Sequence, residues 1–77
     1  MARQIQDGNF LVWEVFPSGG EMGFSSDPFV IFHCLTQRDL RPRRVGLTGD
    51  AADAERIVRQ STDAELLAML ERSREVP

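Results

Sequence analysis

The feature that most constrains this chain is its densest apolar run, residues 29–35, which lies between Asp27-Pro28 and Thr36-Gln37. Its β-branched and aromatic residues predict a strand. Alternation along a strand divides the run into two sets, Val30, Phe32 and Cys34 on one face and Phe29, Ile31, His33 and Leu35 on the other. Both sets are largely apolar, which is typical of a central strand covered on both faces.

The length of the chain permits one small domain, residues 1–77. A chain of 77 residues buries only about 60% of the surface that its unfolded form exposes, so we expect marginal stability unless something reinforces the fold. The single Cys34 excludes an intrachain disulfide, and no Cys/His set has zinc-ligand spacing. We predict no metal and no cofactor, and we note that small domains often gain stability by oligomerising.

The sequence contains no stretch that approaches the roughly 20 apolar residues needed to span a bilayer, and its first residues lack the apolar core of a signal peptide. A lone thiol is typical of a reducing compartment. We therefore expect a cytoplasmic protein. All nine basic residues are Arg, which fits a GC-rich coding background as easily as a selection for guanidinium chemistry. The overall composition is similar to that of many small bacterial proteins.

Two further strands are predicted beside the central one. Residues 10–16 form the first, closed by Pro17, with Leu11, Trp13 and Val15 on its wholly apolar face. The third strand covers residues 43–48, after Pro42, with Val45 and Leu47 inward. The polar residues 1–8 are expected to be disordered, and residues 17–28 form a loop longer than a hairpin requires.

Two helices are predicted after the sheet region. Asp50 is placed to cap the first helix, and the pattern of Thr62 followed by Glu65 is a capping box that starts a second helix running to about residue 75. The second helix has an apolar stripe of Leu66, Leu67, Met69 and Leu70. The expected fold is α+β: a three-stranded antiparallel β-meander over residues 9–49, followed by two α-helices over residues 50–77 packed on one sheet face.

Two helices cover one face of such a sheet, which leaves a second face. The residues predicted there are Phe10, Val12, Glu14, Phe16, Phe29, Ile31, His33, Leu35, Arg44 and Thr48. An uncovered apolar face of this kind tends to mark an interaction site. We therefore predict a non-enzymatic protein-interaction module that forms a homodimer, or binds another protein, through this face. The alternative is that the N-terminus and the loop 17–28 fold over it.

Glu14, His33 and Arg44 fall on the second face, one in each predicted strand. A carboxylate, an imidazole and a guanidinium on adjacent strands are the groups of an acid–base site or a small-molecule site. Such trios more often satisfy one another by hydrogen bonds at the rim of an interface. His33 and Cys34 form no dyad, because adjacent side chains of a strand point to opposite faces.

Arg38, Arg41, Arg43 and Arg44 form a basic segment between two acidic parts of the chain. Four guanidiniums within seven residues are a candidate site for phosphate or nucleic acid. The net charge of −3 and the absence of a recognition helix or aromatic RNA motif favour a simpler role, pairing with the acidic helices and protecting an edge strand. The Gly-rich residues 18–23 match no phosphate-binding motif, and no motif in the chain is specific enough to indicate a family.

Overall fold

A computed structural model describes residues 2–18, 28–47 and 49–75 of the chain. Across these residues it forms five antiparallel strands and two α-helices. In chain order they are β1 (Arg3–Gln6), β2 (Val12–Ser18), β3 (Phe29–Cys34), β4 (Arg43–Gly46), α1 (Ala51–Gln60), α2 (Asp63–Arg72) and β5 (Arg74–Glu75). Each strand pairs with the next in sequence, so the sheet is a meander in which the helices lie between β4 and β5 in the chain.

The core lies between one face of the sheet and the two helices. The buried strand residues of this core face are Ile5, Trp13, Val15, Val30, Phe32, Cys34 and Val45. They form one apolar cluster with Val58 of α1 and with Leu66, Met69 and Leu70 of α2. The α+β class and the antiparallel sheet are therefore confirmed, and the expected three strands become five.

Both helices begin at the capping residues that the sequence indicates. The Asp50 carboxylate accepts a hydrogen bond from the backbone N–H of Asp53, whose own carboxylate accepts one from the N–H of Asp50. Thr62 and Glu65 make the same reciprocal pair at the start of α2. These bonds satisfy N–H groups that have no partner inside the helix. Neither of the two helices is long and apolar enough to cross a membrane.

Helix α2 ends earlier than predicted, at Arg72 instead of about residue 75. Ser73 is extended and buried, and its hydroxyl donates to the carbonyl oxygen of Leu70 while accepting from Nε of Arg43. The chain can then pair Arg74 and Glu75 with β4 as a fifth strand. A helical continuation would have separated Ser73 from Arg43.

The N-terminal segment is ordered where the sequence predicts disorder, because residues 3–6 form β1. Ile5 is only 3% exposed and lies opposite Trp13 in the sheet. The guanidinium of Arg3 donates to the carbonyl oxygens of Val58 and Ser61 at the end of α1 and pairs with Asp63 at 2.6 Å. One apolar side chain and one guanidinium thus fix a strand that is otherwise polar.

Strand β2 is displaced from its predicted position. It begins at Val12 and continues through Pro17, which pairs with Val30 of β3. Pro17 is tolerated because β1 starts at Arg3, opposite Val15, so Pro17 lies beyond the described pairing on that edge. Phe10, predicted to be the first strand residue on the second face, instead belongs to the turn between β1 and β2. Most of the predicted loop 17–28, and Thr48, lie outside the described residues.

We expect Arg3→Ala to lower the free energy of unfolding by about 1–3 kcal/mol, because two helix-terminal carbonyls lose a charged donor. Asp63→Asn is the matched control, since it removes only the exposed ion pair and should cost less than about 1 kcal/mol. Urea unfolding monitored by circular dichroism measures both. If Arg3→Ala is as stable as the wild type, the hydrogen bonds of Arg3 to the end of α1 do not hold β1 in place.

Candidate functional site

The second face of the sheet, opposite the helices, carries two groups of apolar side chains, which the Glu14–His33 pair separates. Its apolar members, Val12, Phe16, Phe29, Ile31 and Leu35, are all partly exposed. None of them belongs to the core cluster or packs against it. Their neighbours on the core face of the same strands, such as Val15 and Phe32, are fully buried. As the sequence predicts, β2 and β3 each have one face covered by the helices and a second face opposite them.

Charged residues cross the second face in two rows. Glu14 lies directly opposite His33 in the pairing of β2 with β3. Arg44 lies opposite Ile31 on one side and Arg74 on the other. Two Arg residues side by side on one face of a sheet repel each other. The guanidinium of Arg44 is placed 4.6 Å from the ring centroid of Phe29, a cation–π contact, and forms no ion pair among the described residues.

The three residues of the predicted acid–base site share the second face but do not converge. Glu14 and His33 are cross-strand neighbours, yet no hydrogen bond joins them within the described structure. Arg44 is two residues further along the sheet, in the row of Ile31. The groove described below is lined by none of the three. The arrangement places ionisable groups of both signs among the apolar side chains of the second face.

The four Arg residues of the predicted anion site are divided among different surfaces. Arg38 and Arg41 are exposed in the connection between β3 and β4. Arg43 points to the core face, where its Nε and Nη2 donate to the hydroxyl and the carbonyl oxygen of Ser73 at 2.7 and 2.5 Å. Arg44 lies on the second face. The β4 backbone therefore separates Arg43 from Arg44, and no single surface gathers all four guanidiniums.

Cys34 is fully buried on the core face, and its sulfur lies 3.6 Å from the hydroxyl of Thr36. His33 is on the opposite side of the strand, as alternation predicts. Within residues 2–18, 28–47 and 49–75, no three His, Cys, Asp or Glu side chains are grouped as metal ligands.

A groove that the sequence did not indicate opens on the helix side of the sheet. It has a volume of about 460 Å³ and lies between α2 and the ends of the strands. Its apolar lining comes from Trp13, Leu40, Leu67 and Leu70. Its polar lining comes from Asp7, Gly8, Asn9, Arg41, Arg43, Glu71 and Glu75.

Asp7 organises the turn at the edge of this groove. One carboxylate oxygen accepts from the backbone N–H groups of Asn9 and Leu11, and the other accepts from Nε1 of Trp13 at 3.0 Å. Partial burial raises the pKa of Asp7, but the hydrogen bonds from Trp13, Leu11 and Asn9 outweigh it and hold that pKa below its usual value. The turn cluster Asp7-Gly8-Asn9 was visible in the sequence, but the bond to Trp13 was not.

Comparisons with protein-family models, with curated proteins and with solved structures find no match to this chain.

We expect Asp7→Asn to destabilise the fold at about pH 6, because an amide has a single oxygen and cannot accept both from Nε1 of Trp13 and from the backbone N–H groups of Asn9 and Leu11. The depressed pKa means that the carboxylate contributes stability above its unfolded-state pKa near 3.8, and this contribution is lost as the pH falls through the lower folded-state value. The difference in the free energy of unfolding between wild type and variant, measured by urea unfolding, should therefore shrink as the pH is lowered below 3.8. Exposed Asp39→Asn is the control. If the difference in the free energy of unfolding between wild type and Asp7→Asn does not change with pH, the role of Asp7 is contradicted.

We expect Arg43→Gln to lower the free energy of unfolding by about 1–3 kcal/mol, because Ser73 loses a charged donor at the end of α2. The exposed Arg41→Gln should change it by no more than about 0.5 kcal/mol. If the two variants have the same free energy of unfolding in urea, Arg43 has no structural role. Arg43 would then remain a candidate anion ligand.

Proposed function

We propose that this protein is a non-enzymatic interaction module that forms a homodimer through the second face of its sheet. The observation that carries the proposal is the second face itself. Five partly exposed apolar side chains lie there on both sides of the Glu14–His33 pair, outside the core cluster. The helices occupy the other face, and among the described residues the core does not pack against these five side chains, so a second copy supplies apolar cover.

Charge complementarity favours a second copy as the occupant. Arg44 and Arg74 are direct neighbours on the face, and Glu14 lies two strands from Arg44, in the adjacent row. A two-fold axis can lie in the plane of the interface and cross the line from Glu14 to Arg44 at a right angle, at its midpoint. This axis brings Glu14 of each copy opposite Arg44 of the other. The contact then occurs twice, as an isologous interface requires. It relieves the repulsion between the two Arg residues.

The size of the face sets the expected strength of the dimer. Seven residues of β2 span roughly 23 Å, and the sheet is roughly 19 Å wide at the usual strand spacing. An area of this order, about 440 Å² on each copy, lies below the standard size of stable protein interfaces and in the range of weak, transient ones. We therefore expect a dimer that dissociates at low protein concentration and becomes the main species as concentration rises.

Reversing the charges of Glu14 and Arg44 tests the proposed contact. Glu14→Arg and Arg44→Glu should each weaken dimerisation by about 10-fold or more, because each places like charges opposite one another across the axis. The double variant restores opposite charges at both contacts, so its dimerisation should return towards the wild-type value. Sedimentation equilibrium over a range of concentrations measures the dimer fraction of a chain of 8.7 kDa.

The matched control exchanges two exposed charges of α1, Glu55→Arg with Arg59→Glu, and should leave the dimer fraction unchanged. Circular dichroism confirms that each variant is folded. A wild-type protein that is monomeric at all concentrations would refute the proposal. A double variant no better than the single ones would refute the Glu14–Arg44 contact.

A further inference from the structure

Phe10 is the one exposed large hydrophobic residue of the described chain, with 79% of its surface accessible. It occupies the turn between β1 and β2 with a φ of +64°, in the left-handed region. Its N–H donates to the carbonyl oxygen of Asp7, and the N–H of Asp7 donates to the carbonyl oxygen of Leu11. This is a type I turn followed by a left-handed residue, a position that Gly or Asn normally fills.

Phenylalanine is unfavourable at this position for two independent reasons. A bulky side chain in the left-handed region is a steric outlier, because its Cβ crowds the backbone. An exposed aromatic ring also gains nothing from burial. Glycine would remove both penalties, and the described residues leave 79% of the surface of Phe10 accessible. Strain of this kind is characteristic of positions that act in binding.

The groove beside α2 begins at the same turn. Asp7, Gly8 and Asn9, the three residues before Phe10, form part of its wall. Its apolar side is formed by Trp13, Leu40, Leu67 and Leu70. A volume of about 460 Å³ accommodates a phenyl ring, since an apolar cavity of about 150 Å³ holds benzene. The turn that carries the exposed Phe10 therefore borders an apolar groove.

We propose that the ring of Phe10 inserts into this groove of a second copy, and that the second copy returns its own Phe10 in exchange. A surface that carries both an anchor and its receptor is self-complementary, as a two-fold contact requires. The polar wall suits such an exchange because it carries both signs of charge, Asp7 and Glu71 against Arg41. A charged wall of a single sign would repel its own copy.

This contact is separate from the dimer through the second face, because the groove lies on the helix side of the sheet. It does not rest on that proposal. If both contacts form, each copy has two different neighbours, and the assembly grows beyond a dimer.

The decisive variant is Phe10→Gly, studied with Arg44→Glu so that association through the second face is weakened equally in the variant and its parent. We expect the melting temperature of dilute protein to rise by about 4–8 °C, because the turn loses its steric strain. Self-association should fall by about 10-fold or more, as for the loss of an aromatic anchor. A structural role for Phe10 alone would lower both stability and association, so the opposite signs distinguish the two roles.

Trp13 provides a direct reporter, because it is the only tryptophan and it lines the groove. Its emission should change with protein concentration in the Arg44→Glu background and should become independent of concentration when Phe10→Gly is added. Association of the Phe10→Gly variant as strong as that of its parent would overturn the proposal. An emission that is independent of concentration in the parent would do the same.

A mixing experiment identifies the groove as the receptor. Leu67→Glu places a charge in the groove and retains Phe10, while Phe10→Gly retains the groove and lacks the anchor. In the Arg44→Glu background neither should associate through the groove alone, but a mixture restores one of the two contacts and should form a heterodimer weaker than the parent dimer. If the mixture contains no heterodimer although both variants are folded by circular dichroism, the groove does not receive Phe10.

Discussion

Strand β3 pairs with a neighbour along each edge and carries large apolar side chains on both faces. Val30, Phe32 and Cys34 are fully buried under the helices, while Phe29 and Ile31 on the other side remain partly exposed. Because successive side chains alternate, no shift of register places both sets in one core. The helices can satisfy one face only, and the surface chemistry of the protein follows from what remains on the other.

The elements whose formation depends on local chemistry were predictable from the sequence. The capping residues of both helices, the central strand and the assignment of Trp13 and Val15 to the core follow from spacing and alternation. So does the separation of His33 from Cys34. These features depend on patterns within a few residues, and the tertiary structure reinforces them.

The features that depend on long-range contacts were not predictable. Strand β1 has one apolar residue, Ile5, and is held by Arg3 reaching the end of α1, nearly 60 residues away in sequence. Strand β5 exists because Ser73 bonds to Arg43 instead of continuing the helix. Because the sequence did not predict β5, it also did not predict that Arg74 lies beside Arg44. The left-handed conformation of Phe10 opposes the intrinsic preference of phenylalanine, so no local pattern indicated it.

The central claim is that the second face is covered by another copy of the chain, and the most direct measurement is an isotope-filtered nuclear Overhauser experiment. A mixture of ¹³C-labelled and unlabelled protein at high concentration reports only contacts between different copies. The account predicts intermolecular effects at the methyl groups of Ile31, Val12 and Leu35, and none at the buried methyl groups of Val15 and Val30. Intermolecular effects absent from the methyl groups of Ile31, Val12 and Leu35 in concentrated protein would contradict it.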